Sequence, residues 1–116
     1  MTLDEAIIGG AEETYPLVRC AGLYLSVLEW AGEDRLGKET ADNSKLTVAN
    51  LLNLATEMRE PTLGSSAEAS VMRDIRAISD IYLKRYEANY ASYGEAFGKD
   101  VIWNADSNTC IMLLGN

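Results

Sequence analysis

The chain has 116 residues, enough for one domain and too few for two independent cores. Hydrophobic residues make up 47% of it, and its formal net charge is −8, from 18 acidic and 10 basic residues. This composition excludes a disordered chain, and the acidic balance argues against a nucleic-acid partner or docking on an anionic membrane, both of which need a clustered Lys/Arg face.

Thr2 and Glu5 have the spacing of a capping box and predict a short first helix over Leu3–Ile8. Gly9-Gly10 breaks it. Thr14 is the expected N-cap of the next helix, with Pro16 tolerated in its first turn. From Leu17 onward, Cys20, Ala21, Tyr24, Leu28 and Ala31 recur at the helical period, and Leu23 and Trp30 widen the apolar arc. Only Arg19, Gly22, Ser26 and Glu29 form a narrow polar strip, so this segment is expected to be the central helix, ending near Gly32. Residues 32–43 are polar and carry two glycines, which predicts a loop containing at most a helical turn.

Asn43 or Ser44 can cap the following helix, which buries Val48, Leu51, Leu52, Ala55 and Met58 and stops near Arg59, ahead of Pro61 and Gly64. Ser65 and Glu68 repeat the capping-box spacing before the longest helix, Ala67–Tyr93. Its apolar stripe is Val71, Ile75, Ile78, Tyr82, Tyr86 and Tyr93. Arg73, Arg76, Asp80, Lys84 and Glu87 are its solvated face, with Asp80 and Lys84 spaced for an i,i+4 pair. Gly94 is its natural stop. Phe97, Val101, Ile102 and Trp103 make the tail too apolar to hang free, and Asn104 or Asp106 is expected to cap a last short helix through Cys110 to Leu114. The expected fold is all-α. It is a single helical domain over 1–116, a small bundle of three main helices plus one or two short terminal helices.

Cys20 and Cys110 are the only cysteines. Two readings stand: separate buried thiols in a cytosolic protein, or a disulfide that pins the tail onto the first long helix. The apolar tail, the place of Cys20 on its apolar stripe and the even count favour the bridge. It would close almost the whole chain, worth about 4–5 kcal/mol in the chain-entropy model, and would imply an oxidising compartment such as a bacterial periplasm.

The run Arg19-Cys20-Ala21-Gly22-Leu23-Tyr24-Leu25, with Arg85-Tyr86-Glu87-Ala88-Asn89-Tyr90 and then Asp106 to Cys110, resembles small exported helical proteins of alphaproteobacteria. The resemblance implies a cleaved signal peptide and a periplasmic or secreted location, with a cytoplasmic one as the alternative. It brings no active site with it. Met1-Thr2-Leu3-Asp4-Glu5 has neither the basic start nor the apolar core of a signal peptide, so in an exported protein the signal is expected to have been removed. No stretch is long and apolar enough to be expected to enter a membrane.

The absence of histidine removes Ser-His-Asp and Cys-His nucleophilic systems and makes a zinc site unexpected. No phosphate-binding glycine loop is present. Asn104-Ala105-Asp106-Ser107-Asn108 has the alternating oxygens of half a calcium loop but lacks its glycine and its closing glutamate, and reads as helix-capping polar residues. The paired carboxylates Glu12/Glu13 and Glu33/Asp34 are expected to be solvated, and nothing singles out an acid/base pair. Asn89, near the tyrosine stripe, is expected to satisfy a buried backbone group or a tyrosine hydroxyl. No catalytic residue, cofactor or metal ligand is therefore assigned. Tyr90, Tyr93, Phe97 and Trp103 are either core packing or, if exposed, a patch for a protein partner. The expected function is that of a non-catalytic exported domain that binds an unidentified protein, as an inhibitor, an immunity-type protein or an envelope accessory factor. The alternative is a cytosolic or phage-encoded adaptor that dimerises through its helix faces.

Overall fold

The computed structural model describes residues 1–114. It has five α-helices and no strand among them: α1 (Leu3–Ile8), α2 (Tyr15–Leu36), α3 (Lys38–Leu63), α4 (Ala67–Tyr93) and α5 (Val101–Leu113), with a 3-10 turn at Gly64–Ser66. The all-α bundle expected from periodicity is the fold. Helices α2, α3 and α4 pack on one another, and the short α1 and α5 pack together across one end of α2.

The Thr2–Glu5 capping box forms as its spacing predicts, and α4 has the predicted limits. The predicted loop over residues 32–43 does not form. Gly32 interrupts α2 with φ 71°, ψ 171°, one further turn follows, and Gly37 (φ 85°, ψ 152°) alone joins it to α3, which starts at Lys38 rather than Asn43 or Ser44. The polar character of residues 38–43 reports exposure, since all but Ala41 face solvent. Two glycines free to take positive φ make a longer loop unnecessary. Pro61 sits inside the last turn of α3, which continues to Leu63.

Other caps differ from expectation. The Thr14 side chain caps no helix N-terminus, and the 3-10 turn puts Ser66 rather than the expected Ser65 at the N-cap of α4, where its hydroxyl donates to the Leu63 carbonyl instead of capping. Helix α5 starts earlier than expected because Asp100, four residues before Asn104 and six before Asp106, caps it, accepting the Trp103 N–H at 3.1 Å. Asp80 pairs with Arg76 at 2.8 Å.

The core has two parts. An aliphatic part gathers Leu3, Val18, Ala21, Leu51, Val71 and Ile75 around the cysteines. An aromatic part centres on Tyr82 and Tyr86, with Leu23, Trp30, Phe97 and Trp103 against them. Between them lies the largest departure from the sequence reading. The polar strip of α2 is not its solvent side, for Arg19, Gly22 and Ser26 are buried against α4. Gly22 allows the close approach: a Cβ there would stand 2.5 Å from Ile78 Cγ2 and 3.2 Å from the Ser79 nitrogen.

Candidate functional site

Along the α2–α4 seam each polar side chain of the strip finds a partner. Arg19 Nε donates to the Tyr82 hydroxyl at 3.2 Å, and Ser26 Oγ lies 2.7 Å from the Tyr86 hydroxyl. At the outer end Arg76 makes a two-pronged bond to Glu29 at 2.7 and 2.6 Å, and Ser79 donates to the same carboxylate at 2.9 Å.

The seam leads inward to Asp106, which is fully buried. It accepts the Leu3 N–H at 2.7 Å, Arg19 Nη2 at 2.7 Å and the Tyr82 hydroxyl at 2.6 Å. Arg19 also donates to the Tyr15 hydroxyl at 3.1 Å and the Met1 carbonyl at 2.8 Å. One carboxylate thus ties the start of α1 to α2, α4 and α5. Burial and the adjacent carboxylate push the Tyr82 hydroxyl well above the ordinary phenol range, so it keeps its proton and donates it to Asp106. The sequence reading placed Arg19 on the narrow polar strip of α2 and Asp106 among caps; together they are a buried ion pair.

One residue on from Arg19 and one helical turn on from Asp106, Cys20 and Cys110 are joined by a disulfide 90 positions apart in sequence. Both are buried, at 2% and 0% exposure. Helix α5 is therefore held on α2 by a covalent bond and an ion pair side by side.

A second carboxylate, Asp100, holds the far end of the tail. Arg85 donates to it twice, at 3.0 and 2.7 Å, and Asn89 Nδ2 donates to it at 2.8 Å and to the Ala96 carbonyl at 2.9 Å. Burial disfavours the charge of Asp100, but Arg85, the Trp103 N–H and Asn89 outweigh it and hold the carboxyl below its usual range. Trp103 Nε1 donates to the Tyr86 hydroxyl at 2.9 Å, and burial pushes that hydroxyl up to about 12.

This arrangement divides the four residues of the candidate aromatic patch. Phe97 and Trp103 stack on each other at 4.8 Å, Phe97 packs edge-on against Tyr86 at 4.8 Å, and both are half-buried. Tyr90 and Tyr93 are each 56% exposed, so Tyr93 is not part of the buried stripe. Tyr90 meets Trp30 edge-on at 6.1 Å, and Lys99 Nζ lies 5.4 Å from the centre of the Tyr93 ring. The stripe pattern could not separate these pairs, because it tells which residues share a face of a helix and not what covers each of them.

A third polar group lies elsewhere, around Arg59 of α3. Its Nε donates to the Thr14 hydroxyl at 3.0 Å, and its Nη1 donates to Ser70 at 2.9 Å and lies 2.8 Å from Asp74. Arg59 forms one wall of an open cleft of about 770 Å3 between the start of α2, the end of α3 and the first half of α4, floored by Tyr15, Val18, Met58 and Ile78 and edged by Glu12, Glu13, Asp74 and Leu63. A smaller recess of about 260 Å3 lies over Arg19, Tyr82 and Arg85.

Among the described residues no group of three or more Cys, Asp or Glu is placed to hold a metal ion, and no helix is long and apolar enough to cross a membrane. The buried polar side-chain atoms are saturated by their neighbours, leaving none of the described ones without a hydrogen bond. What these carboxylates and arginines do chemically is hold helices together. No protein-family model matches the chain. No curated protein and no solved structure matches it either.

Proposed function

We propose that this chain is a non-catalytic helical domain, periplasmic or secreted, that acts by binding another protein, as an inhibitor, an immunity-type protein or an envelope accessory factor does. The single observation carrying the reading is the exposed aromatic pair at the end of α4. Tyr90 and Tyr93 stand 56% exposed, and the backbone beneath them is braced by Asn89 and Asp100. Large rings on a rigid support lose little entropy when a partner covers them, which is why tyrosine is common among the residues that dominate protein interfaces. The buried disulfide supports the location, because such bonds persist outside reducing compartments. The acidic surface supports solubility and a basic partner.

A photo-reactive residue at position 93 tests the reading in intact cells, with one at the exposed position 42 as the control. The reading expects a discrete cross-linked protein from position 93 and none from position 42. It is overturned if position 93 gives no adduct and the protein with Tyr90→Ala and Tyr93→Ala is indistinguishable from the parent in its cellular complexes.

A further inference from the structure

We propose that the cleft around Arg59 receives a basic, apolar-flanked segment of the partner protein, with a lysine or arginine side chain seated among Glu12, Glu13 and Asp74. The inference rests on the protein-binding reading and assigns it a second contact surface. Three carboxylates line the cleft against one guanidinium. That guanidinium is already committed: Arg59 is tied to Thr14, Ser70 and Asp74, and Glu12 Oε2 lies 3.8 Å from its Nη2. Its side chain is only 14% exposed, whereas those of Glu12 and Asp74 are 61% and 46% exposed. The negative groups therefore face outward from a lip of the cleft while the positive one is held in its wall. An incoming cation meets the carboxylates first, and an incoming anion meets them too.

The floor gives the second half of the argument. Tyr15, Met58 and Ile78 are half-buried and Leu63 is 41% exposed, so apolar surface lies within reach of the carboxylates. A lysine or arginine side chain has this shape, with an aliphatic stem to lie on apolar surface and a charged head to reach acceptors. A polypeptide suits the cleft better than a free amine. Glu12, Glu13, Thr62 and Leu63 at its edge are all exposed, so a small ligand would keep much of its surface in water, whereas small-molecule sites bury most of theirs. A chain crossing the cleft spreads the contact over several side chains.

The test uses the intact, oxidised protein and a short synthetic peptide alternating lysine with leucine, with its glutamate–leucine counterpart as control. Binding is followed by amide chemical shifts. The proposal expects shifts clustered on the cleft residues of α2, α3 and α4 with the basic peptide and none with the acidic one. Glu13→Gln with Asp74→Asn should weaken binding by about twofold to thirtyfold, the range for two exposed ion pairs. Glu87→Gln with Glu95→Gln, the same charge change on exposed residues beyond the cleft, should leave it unchanged. Leu63→Glu separates the proposal from general attraction of a polycation to an acidic protein. It adds negative charge but removes apolar surface at the cleft's edge, so seating in the cleft predicts weaker binding and general attraction predicts tighter binding. Thermal melts of each variant confirm that it is folded.

Shifts scattered over the surface, equal weakening by both charge pairs, tighter binding to Leu63→Glu, or equal binding of the acidic peptide would each overturn the proposal. Any of these together with a cross-link from position 93 removes the cleft and leaves the protein-binding reading standing. Cleft-confined binding without that cross-link does the reverse to the aromatic pair.

Discussion

Replacing Asp106 with asparagine keeps the shape of the side chain and removes its charge, at a point where three donors converge. In the native protein Leu3 N–H, Arg19 Nη2 and the Tyr82 hydroxyl all point at this carboxylate from 2.6 to 2.7 Å. An asparagine offers one acceptor oxygen and one NH2 group, so a donor must face a donor on one side or the other. The Arg19 guanidinium, whose side chain is 9% exposed, keeps its charge and loses its counter-ion. Breaking one side of a buried pair in this way costs about 3–5 kcal/mol, set against a total stability of roughly 5–15 kcal/mol for a single domain. With a urea dependence of about 1–3 kcal/mol per molar, the unfolding midpoint should fall by roughly 2 M. Urea melts of the oxidised protein read through Trp30 and Trp103 measure it. The double variant Arg19→Met with Asp106→Leu removes both charges and should recover at least half of the loss, giving a coupling energy above about 1.5 kcal/mol. A cost below about 1 kcal/mol for Asp106→Asn, the size expected of an exposed pair, or strict additivity in the cycle, would refute the reasoning.

Three further outcomes follow from the same packing. Cys20→Ala with Cys110→Ala reopens a closure of 90 positions and should cost about 4–5 kcal/mol in the chain-entropy model, read by the same urea melts. Gly22→Ala places a Cβ 2.5 Å from Ile78 Cγ2, and forcing α2 and α4 apart should cost about 1–3 kcal/mol and lower the melting temperature. Stability should be flat through neutral pH, since the chain has no histidine, and should fall on both flanks. Glu12 (through the Thr14 hydroxyl), Glu29 (through Arg76) and Asp100 (through Arg85, against burial) titrate lower in the folded chain than in the unfolded one. Their contribution is present above the unfolded carboxylate range of about 4 and is lost as pH falls through the folded values. Tyr82 and Tyr86 titrate higher when folded, so their contribution is complete below about pH 10 and is lost above it. A guanidinium melt series across pH checks both flanks, and a midpoint that changes through neutral pH would contradict this assignment.

The helices were legible in the sequence wherever a face is apolar along its length. Helix α4 runs from Ala67 to Tyr93 as its stripe and Gly94 predict, and Gly94 takes the left-handed conformation expected of it, with φ 75° and ψ 9°. Periodicity tells which residues share a face and leaves open what that face meets. Arg19, Gly22, Ser26 and Glu29 do share one side of α2, but that side meets α4, where each polar group has a partner of its own. Exposed polar residues 38–43 resembled a loop because helix surface and loop have the same composition when nothing covers them. Asp106 and Cys110 stand one turn apart on the tail and Arg19 is next to Cys20, so a bridge between the cysteines brings the two charges to the same place. That correspondence was the available signal for the buried ion pair, and it becomes decisive only once the disulfide fixes the register of α5 on α2.

The proposed function requires the Cys20–Cys110 bond to be closed where the protein works, outside reducing compartments. The direct measurement is the state of these thiols in the producing cell. Cells are quenched in acid, the protein is denatured in the presence of an alkylating reagent, and its mass is taken before and after reduction. A bridged, exported state predicts no alkylation until a reductant is added and two alkylated cysteines afterwards. Two alkylated cysteines in the unreduced sample would contradict it.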